Sequence, residues 1–269
     1  MGDLSRFDLP EKRIAKMKNL SLVMRCSVAF VFMNAIVSVI TGCNDSPQTL
    51  ALSGDIVGYS TLYDLNENPI ANDTGITVSV EGENHTTTTD SMGQWDLAGL
   101  TTGIYNIDIS KPGFGMRKIL DFQFVGGGQA NAGTVPLFQI PTYSVTKLSD
   151  TILLENNLVL SGTFSNPTPT NLVTAFAYVF FDTVSSVSSD PKNYLYALGP
   201  FSSPSDTTFS QNLPLSYLQK SGFQSGQTVY MVAYASSSNP VGYTDFASGN
   251  QVLTGLNPAA SNVVSFIMP

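Results

Sequence analysis

Hydrophobic and polar positions change rhythm twice along the chain. Cys26 to Ile40, CSVAFVFMNAIVSVI, is a 15-residue apolar run without alternation. From Leu52 onward, short apolar/polar alternations take over, broken by Gly, Pro, Asn and Ser, and this period of two predicts strands. The first runs Leu52 to Tyr59, and Ile76, Val78 and Val80 share one face of the next. Asn84-His85 joins that strand to Thr86–Thr89, which predicts a hairpin. Asp90-Ser91-Met92-Gly93 is a turn, followed by Gln94–Leu97 with Trp95 and Leu97 on one face. Thr101-Thr102-Gly103 is another turn, after which Tyr105, Ile107 and Ile109 alternate with polar residues. Phe122 and Phe124, then Val135 to Phe138, supply the last strands of a seven-strand set, the number of a small sandwich. Gly93 and Gly103 are expected to hold tight turns at positive φ.

Pro136 and Pro141 bracket a boundary, and a second β-rich stretch follows. Its predicted strands are Leu158–Phe164, Val173–Phe181 (VTAFAYVFF), Gln227–Ala235 and Asn262–Ile267. Asn166–Asn171, Ser185–Asn193, Pro200–Thr207 and Ser236–Pro240 read as loops, and Leu215–Lys220 as one helical turn. The expected fold class is all-β: two tandem β-sandwich domains, 50–140 and 141–269, after a cleaved N-terminal signal helix.

Composition supports a packed β protein. Of 269 residues, 42% are hydrophobic and 12% charged, which excludes wholesale disorder. Charge is uneven: residues 1–42 carry six Lys/Arg and three acids, net +3, leaving −11 for residues 43–269 of the chain's −8. An acidic body repels phosphate backbones and lacks a basic patch for anionic lipid, so no nucleic-acid partner is expected.

The apolar run follows Lys12, Arg13, Lys16, Lys18 and Arg25 and ends in small residues, the layout of a secretory signal; a retained membrane helix would need about 20 apolar residues. Ile40-Thr41-Gly42-Cys43 resembles the lipobox of bacterial lipoproteins, an aliphatic residue, two small residues, then Cys. That resemblance implies cleavage before Cys43, acyl chains on its thiol, and an acylated new amino group. Each buried methylene contributes about 0.8 kcal/mol, and two or more chains hold a protein stably on a bilayer. Residues 1–42 are then signal peptide and 43–49 a short polar tether. Forty-two residues is long for such a signal, and Met17-Lys18-Asn19 looks a more natural start. Cys26 and Cys43 are the two cysteines, so the mature chain would hold neither a free thiol nor a disulfide. Lipid anchoring in the cell envelope, at the outer membrane of a Gram-negative bacterium, is the expected location.

Six landmarks between residues 54 and 114 fall in an order similar to the carboxypeptidase regulatory-like domain, a transthyretin-like β-sandwich. They are Gly54-Asp55-Ile56-Val57, Glu67-Asn68-Pro69-Ile70, Val78-Ser79-Val80-Glu81-Gly82, Thr89 to Leu97, Leu100 to Tyr105, and Lys111-Pro112-Gly113-Phe114. The resemblance implies a non-catalytic module, with Trp95 and Tyr105 between the sheets. Gly222 to Ala235 resembles the late strand of fibronectin type III or immunoglobulin-like sandwiches, with Gln224 and Ser225 near the position where those families carry Pro.

Candidate chemistry is sparse. His85 is the single histidine and falls at a hairpin tip among threonines, where a Ser–His–Asp arrangement would not be buried and oriented. Zinc needs three or four His, Cys or carboxylate ligands. Asp64-Leu65-Asn66-Glu67-Asn68 begins like an EF-hand loop, but Pro69 and Gly75 stand where Gly and Glu are needed. Asp90 and Asp96 are close in sequence but read as solvated sheet and turn acids, and Gly126-Gly127-Gly128 lacks the Lys-Ser/Thr of a phosphate loop. No cofactor or catalytic residue is expected. The reading is a membrane-anchored binding or assembly module, held by acyl chains on Cys43, with an outer-membrane protein or a glycan as partner. Its rivals are a carbohydrate-binding surface built on Tyr194, Tyr196, Tyr217 or Tyr243, a hydrolase with an unfamiliar site, and a pilus-like or adhesin subunit.

Overall fold

The structure, a computed structural model, describes residues 52–153, 156–165, 174–204 and 207–269. The signal segment, Cys43 and its tether, Asn166–Asn171 and Val173 lie outside these residues. Residues 51–269 belong to one compact unit. Among the described residues it is all-β apart from one short helix, α1 (Leu215–Lys220).

The first seven strands form two sheets. β1 (Ser53–Tyr63) lies between β4 (Gln94–Thr101), antiparallel, and β7 (Gln129–Phe138), parallel. The second sheet runs β3 (Thr86–Thr88), β2 (Thr77–Val80), β5 (Gly103–Ser110), β6 (Arg117–Phe124), antiparallel throughout. Alternation decides the facing side. Val78, Val80, Trp95, Leu97, Ile107 and Ile109 are all buried in one cluster between the sheets, as their period of two requires. Gly58 makes room for the largest of them: a Cβ there would lie 2.4 Å from the Trp95 ring.

Turn chemistry differs from expectation at one residue. Gly93 has φ 78°, but Gly103 opens β5 outside the positive-φ region. The left-handed residue nearby is Gly99, φ 74°, at a bulge where β1 and β4 slip register between Gly54 and Ile56. What constrains Gly103 is the Tyr105 ring, 3.2 Å from a Cβ added there.

The later strands make a three-stranded sheet, β12 (Thr208–Pro214), β9 (Asn157–Phe164), β8 (Val145–Leu153), facing a larger one. That larger sheet runs β11 (Tyr196–Pro204), β10 (Thr174–Asp182), β13 (Thr228–Ser236), β16 (Leu256–Ala260), with β17 (Val264–Ile267) also paired to β13. Ala175, Ala177, Val179 and Phe181 point into the inter-sheet core, where Leu215 and Leu218 of α1 join them. Phe180, Val232 and Tyr234 belong to a second apolar cluster on the opposite face, roofed by the hairpin β14 (Val241–Thr244) and β15 (Gln251–Leu253) and by Val187 and Tyr194. The central strands are buried on both faces, and this is why VTAFAYVFF is so apolar.

Pro200–Thr207, expected as a loop, is strand as far as Pro204. β11 is an edge strand, where proline's missing N–H breaks no ladder bond. β8 and β12 were not legible as strands because alternation is broken in one and too sparse in the other. Val145 and Leu148 are three apart across a bulge, and between Phe209 and Leu213, which share a face, stands the exposed Gln211.

Tyr143 ties the start of the later strands to the large sheet. The Phe176 N–H donates to its hydroxyl at 2.9 Å, and the hydroxyl donates to the Ser236 carbonyl at 3.4 Å. Burial pushes its pKa up to about 12 against the Phe176 bond, which lowers it. Where β6 meets β14, the Thr254 hydroxyl donates to the Met116 carbonyl, Arg117 to the Asn239 carbonyl at 3.0 Å, and the Lys118 ammonium lies 5.0 Å from the Tyr243 ring centre.

Candidate functional site

Apart from Tyr194 and Tyr196, which border one groove, the residues singled out from sequence are spread over the fold. His85 follows the β2–β3 turn, half-exposed, with Nε2 3.9 Å from the Glu83 carboxylate. Asp64 does not present free oxygens: its Oδ1 accepts the N–H groups of Asn66 and Asn68 at 2.8 Å, and Oδ2 accepts the Asn68 amide at 3.2 Å. Donors that point at a carboxylate repel a cation from it. Among the described residues no group of three or more His, Cys, Asp or Glu could hold a metal ion.

Asp90 closes its own turn, accepting the Met92 and Gln94 N–H groups at 2.9 Å, and stands apart from Asp96. The acid beside Asp96 is Asp55, brought there across the β1–β4 pair. Partial burial, then the Asp55 charge, raise the Asp96 pKa. Both acids are on the outer face of the sheet. Gly126-Gly127-Gly128 forms the turn into β7, with φ 72° and 77° at its first two residues.

The expected tyrosine platform is realised only in part: Tyr194 and Tyr196 border one groove, while Tyr217 and Tyr243 are not among the residues that line it. Tyr194 is buried under the β14–β15 hairpin and donates to the Gln251 carbonyl at 2.6 Å. Burial pushes its pKa up to about 12; the Gln251 bond lowers it, and Asp245 and Tyr178 raise it. The Tyr196 ring stands 5.8 Å from Phe181, on the side of the inter-sheet core, near the exposed Tyr217 of α1. Tyr243 is covered by Lys118.

What the structure does build is a groove of about 270 Å³ beside the roof. Tyr178, Tyr194, Leu195, Tyr196, Val241, Asn250 and Gln251 are among the residues that line it. Tyr178 is half-buried because β10 and β11 slip register between Ala177 and Val179, which leaves its ring over Gly199. Burial raises its pKa. Asn250 fixes one wall, its amide donating to the Pro191 and Tyr194 carbonyls at 2.7 and 2.9 Å, while the Gln251 amide donates to the Thr244 hydroxyl at 2.9 Å. Both Asn250 donors are thus used within the fold, while Gln251 gives one donor to Thr244, so the wall offers amide oxygens beside an aromatic ring and the exposed Leu195. Such a surface suits a small neutral ligand with hydroxyl donors and an apolar face. Tyr178 and Leu195 were missed from sequence. The available signal was that Phe176, Tyr178 and Phe180 alternate with Ala175, Ala177 and Val179, so both faces of one strand are apolar.

No protein-family model matches the chain, and no curated protein matches its sequence. Solved structures with related β folds include a cohesin–X-dockerin complex from Acetivibrio cellulolyticus, 17% identical over 33% of this chain and 59% of that one, TM-score 0.28. A candidate carbohydrate binding protein from Bacteroides uniformis is 14% identical over 80% of this chain and 99% of that one, TM-score 0.30. A DUF3823 family protein from Bacteroides ovatus is 11% identical over 81% and 100%, TM-score 0.27. The chain spans about three fifths of the length of the first. The sheets and their two-sided burial, not these low overall scores, define the fold.

Proposed function

We propose that this protein is a lipid-anchored, non-catalytic binding or assembly module of a bacterial cell envelope, accessory to nutrient uptake or adhesion at the outer membrane. The observation that carries this reading is Ile40-Thr41-Gly42-Cys43 directly after the apolar run, followed within ten residues by an acidic β body. A thiol at that point accepts diacylglycerol, and the acyl chains then supply the membrane affinity that the acidic body lacks. The landmarks of the carboxypeptidase regulatory-like resemblance support a binding module at residues 50–140, with a second from 141. Asp90–Gly93 forms the β3–β4 turn and Leu100–Tyr105 carries β4 into β5.

Metabolic labelling with an alkyne fatty acid, followed by detergent phase partition, tests the anchor. Label in the native protein, lost in Cys43→Ala together with membrane association, is the expected result; an unmodified Cys43 thiol in the native protein refutes it. A glycan-binding reading is favoured by the Tyr178 groove specifically. Titration with neutral oligosaccharides should then quench tyrosine fluorescence, and Tyr178→Ala should abolish the response. An unchanged response in that variant removes the groove from consideration.

A further inference from the structure

We infer that the end of the first sandwich at which the chain enters, built from Leu52, Ile104 and Val125, rests in the lipid interface of the bilayer. This rests on the anchoring of Cys43 proposed above. These three side chains are 56, 66 and 76% exposed, in turns and strand ends where polar residues are the rule.

They are held together. Thr102 donates its N–H to the Leu52 carbonyl at 3.0 Å and its hydroxyl to the Val125 carbonyl at 2.8 Å. The turn Gly126–Gly127 folds over Leu52, close enough that a Cβ on Gly126 would lie 2.9 Å from the Leu52 Cβ. Ile104 lies on β5 opposite Gln123, beside Phe124 and Val125.

Charge agrees. Residues 52–54, 99–104 and 123–128 contain no charged side chain, in a body that carries −11 after residue 42. Asp55 is the nearest charge in sequence, and its Oδ1 accepts the Gly99 N–H at 3.1 Å. An uncharged apolar pole with the acids Asp55, Asp96 and Asp121 behind it fits zwitterionic lipid better than anionic lipid.

Chain length names the occupant. Leu52 is nine positions after Cys43. A chain reaches at most about 3.5 Å per residue, so this pole stays within roughly 30 Å of the acyl chains. β6 runs eight residues from the Met116–Thr254 contact to the pole. At about 3.3 Å per residue this separates the later strands from the pole by up to about 26 Å. The Tyr178 groove, on those later strands, then lies beyond the pole rather than in the lipid interface.

The test uses the full chain carrying Cys26→Ser, purified from membranes and reconstituted in phosphatidylcholine vesicles. Thiol titration of this parent reads the state of Cys43 separately. An environment-sensitive fluorophore is then placed through Val125→Cys, or through Met92→Cys, a 71% exposed position in the β3–β4 turn at the other end of β4. The expected result is a blue shift and quenching by brominated lipid at position 125, absent at position 92, and diminished in Leu52→Ser. Equal spectra at the two positions in a parent whose Cys43 thiol is blocked overturn the inference while leaving the anchor intact. A shift at position 125 that appears only when another membrane protein is added overturns it in favour of a protein contact.

Discussion

Phe180→Ala tests the two-sided burial of the large sheet. The Phe180 ring is fully buried on the face away from the inter-sheet core, 5.0 Å from Tyr194, 5.5 Å from Tyr234 and 6.4 Å from Tyr178. Two of these pairs are edge-on, the geometry favoured by ring quadrupoles. Truncating a buried Phe to Ala costs about 3–5 kcal/mol, from lost transfer energy and the cavity left behind. For a unit of this size about 2–4 °C is lost per kcal/mol, so the melting temperature should fall by roughly 6–20 °C. Chemical denaturation followed by near-ultraviolet dichroism measures it, with Phe246→Ala, an exposed residue of the β14–β15 turn, as the control expected within about 0.5 kcal/mol. If Phe180→Ala costs less than about 1 kcal/mol, the hairpin does not roof a packed core and the reasoning fails.

Tyr143→Phe removes the acceptor of the Phe176 N–H and should cost about 1–3 kcal/mol by equilibrium unfolding. The native state holds the Tyr143 and Tyr194 protons up to about pH 12, whereas an unfolded tyrosine releases its proton near 10.0. Stability should therefore fall as pH rises through that interval, and Tyr143→Phe should flatten part of the decline. Gly58→Ala, which sets a methyl against the Trp95 ring, should cost about 1–3 kcal/mol and change the emission of that single tryptophan; unaltered emission and stability would contradict the packing. Asp96 keeps its proton to higher pH in the folded state than its usual 3.8, so it opposes folding as pH rises just above that value. Asp96→Asn should remove that loss and leave stability at pH 3 unchanged, as read from urea titrations at both pH values.

Local patterns decided what was legible. Ile76, Val78 and Val80, or Tyr105, Ile107 and Ile109, alternate because each strand buries one face, and a period of two survives in sequence. One turn was equally plain, since Asp90 to Gly93 carries both its Asx bond and its positive-φ glycine within four residues, whereas at Gly103 the expected positive φ fell instead on Gly99. α1 was readable as a single turn, with Leu215 and Leu218 three apart. By itself the sequence thus determined the fold class, most of the early strands, and the expectation of an anchor at Cys43.

Tertiary structure decided the rest, because the deciding contacts join residues far apart in the chain. Bulges took β8 out of simple alternation, and an edge position admitted proline into β11. That Tyr194 and Tyr196 border one groove, with the Tyr194 hydroxyl held by Gln251, depended on a hairpin some fifty residues later. The groove at Tyr178 exists because a register slip, a distant amide and a roofing hairpin meet there, and the bonds and contacts responsible span up to 59 positions. Local periodicity records which way a side chain points, but not what the fold later brings to meet it.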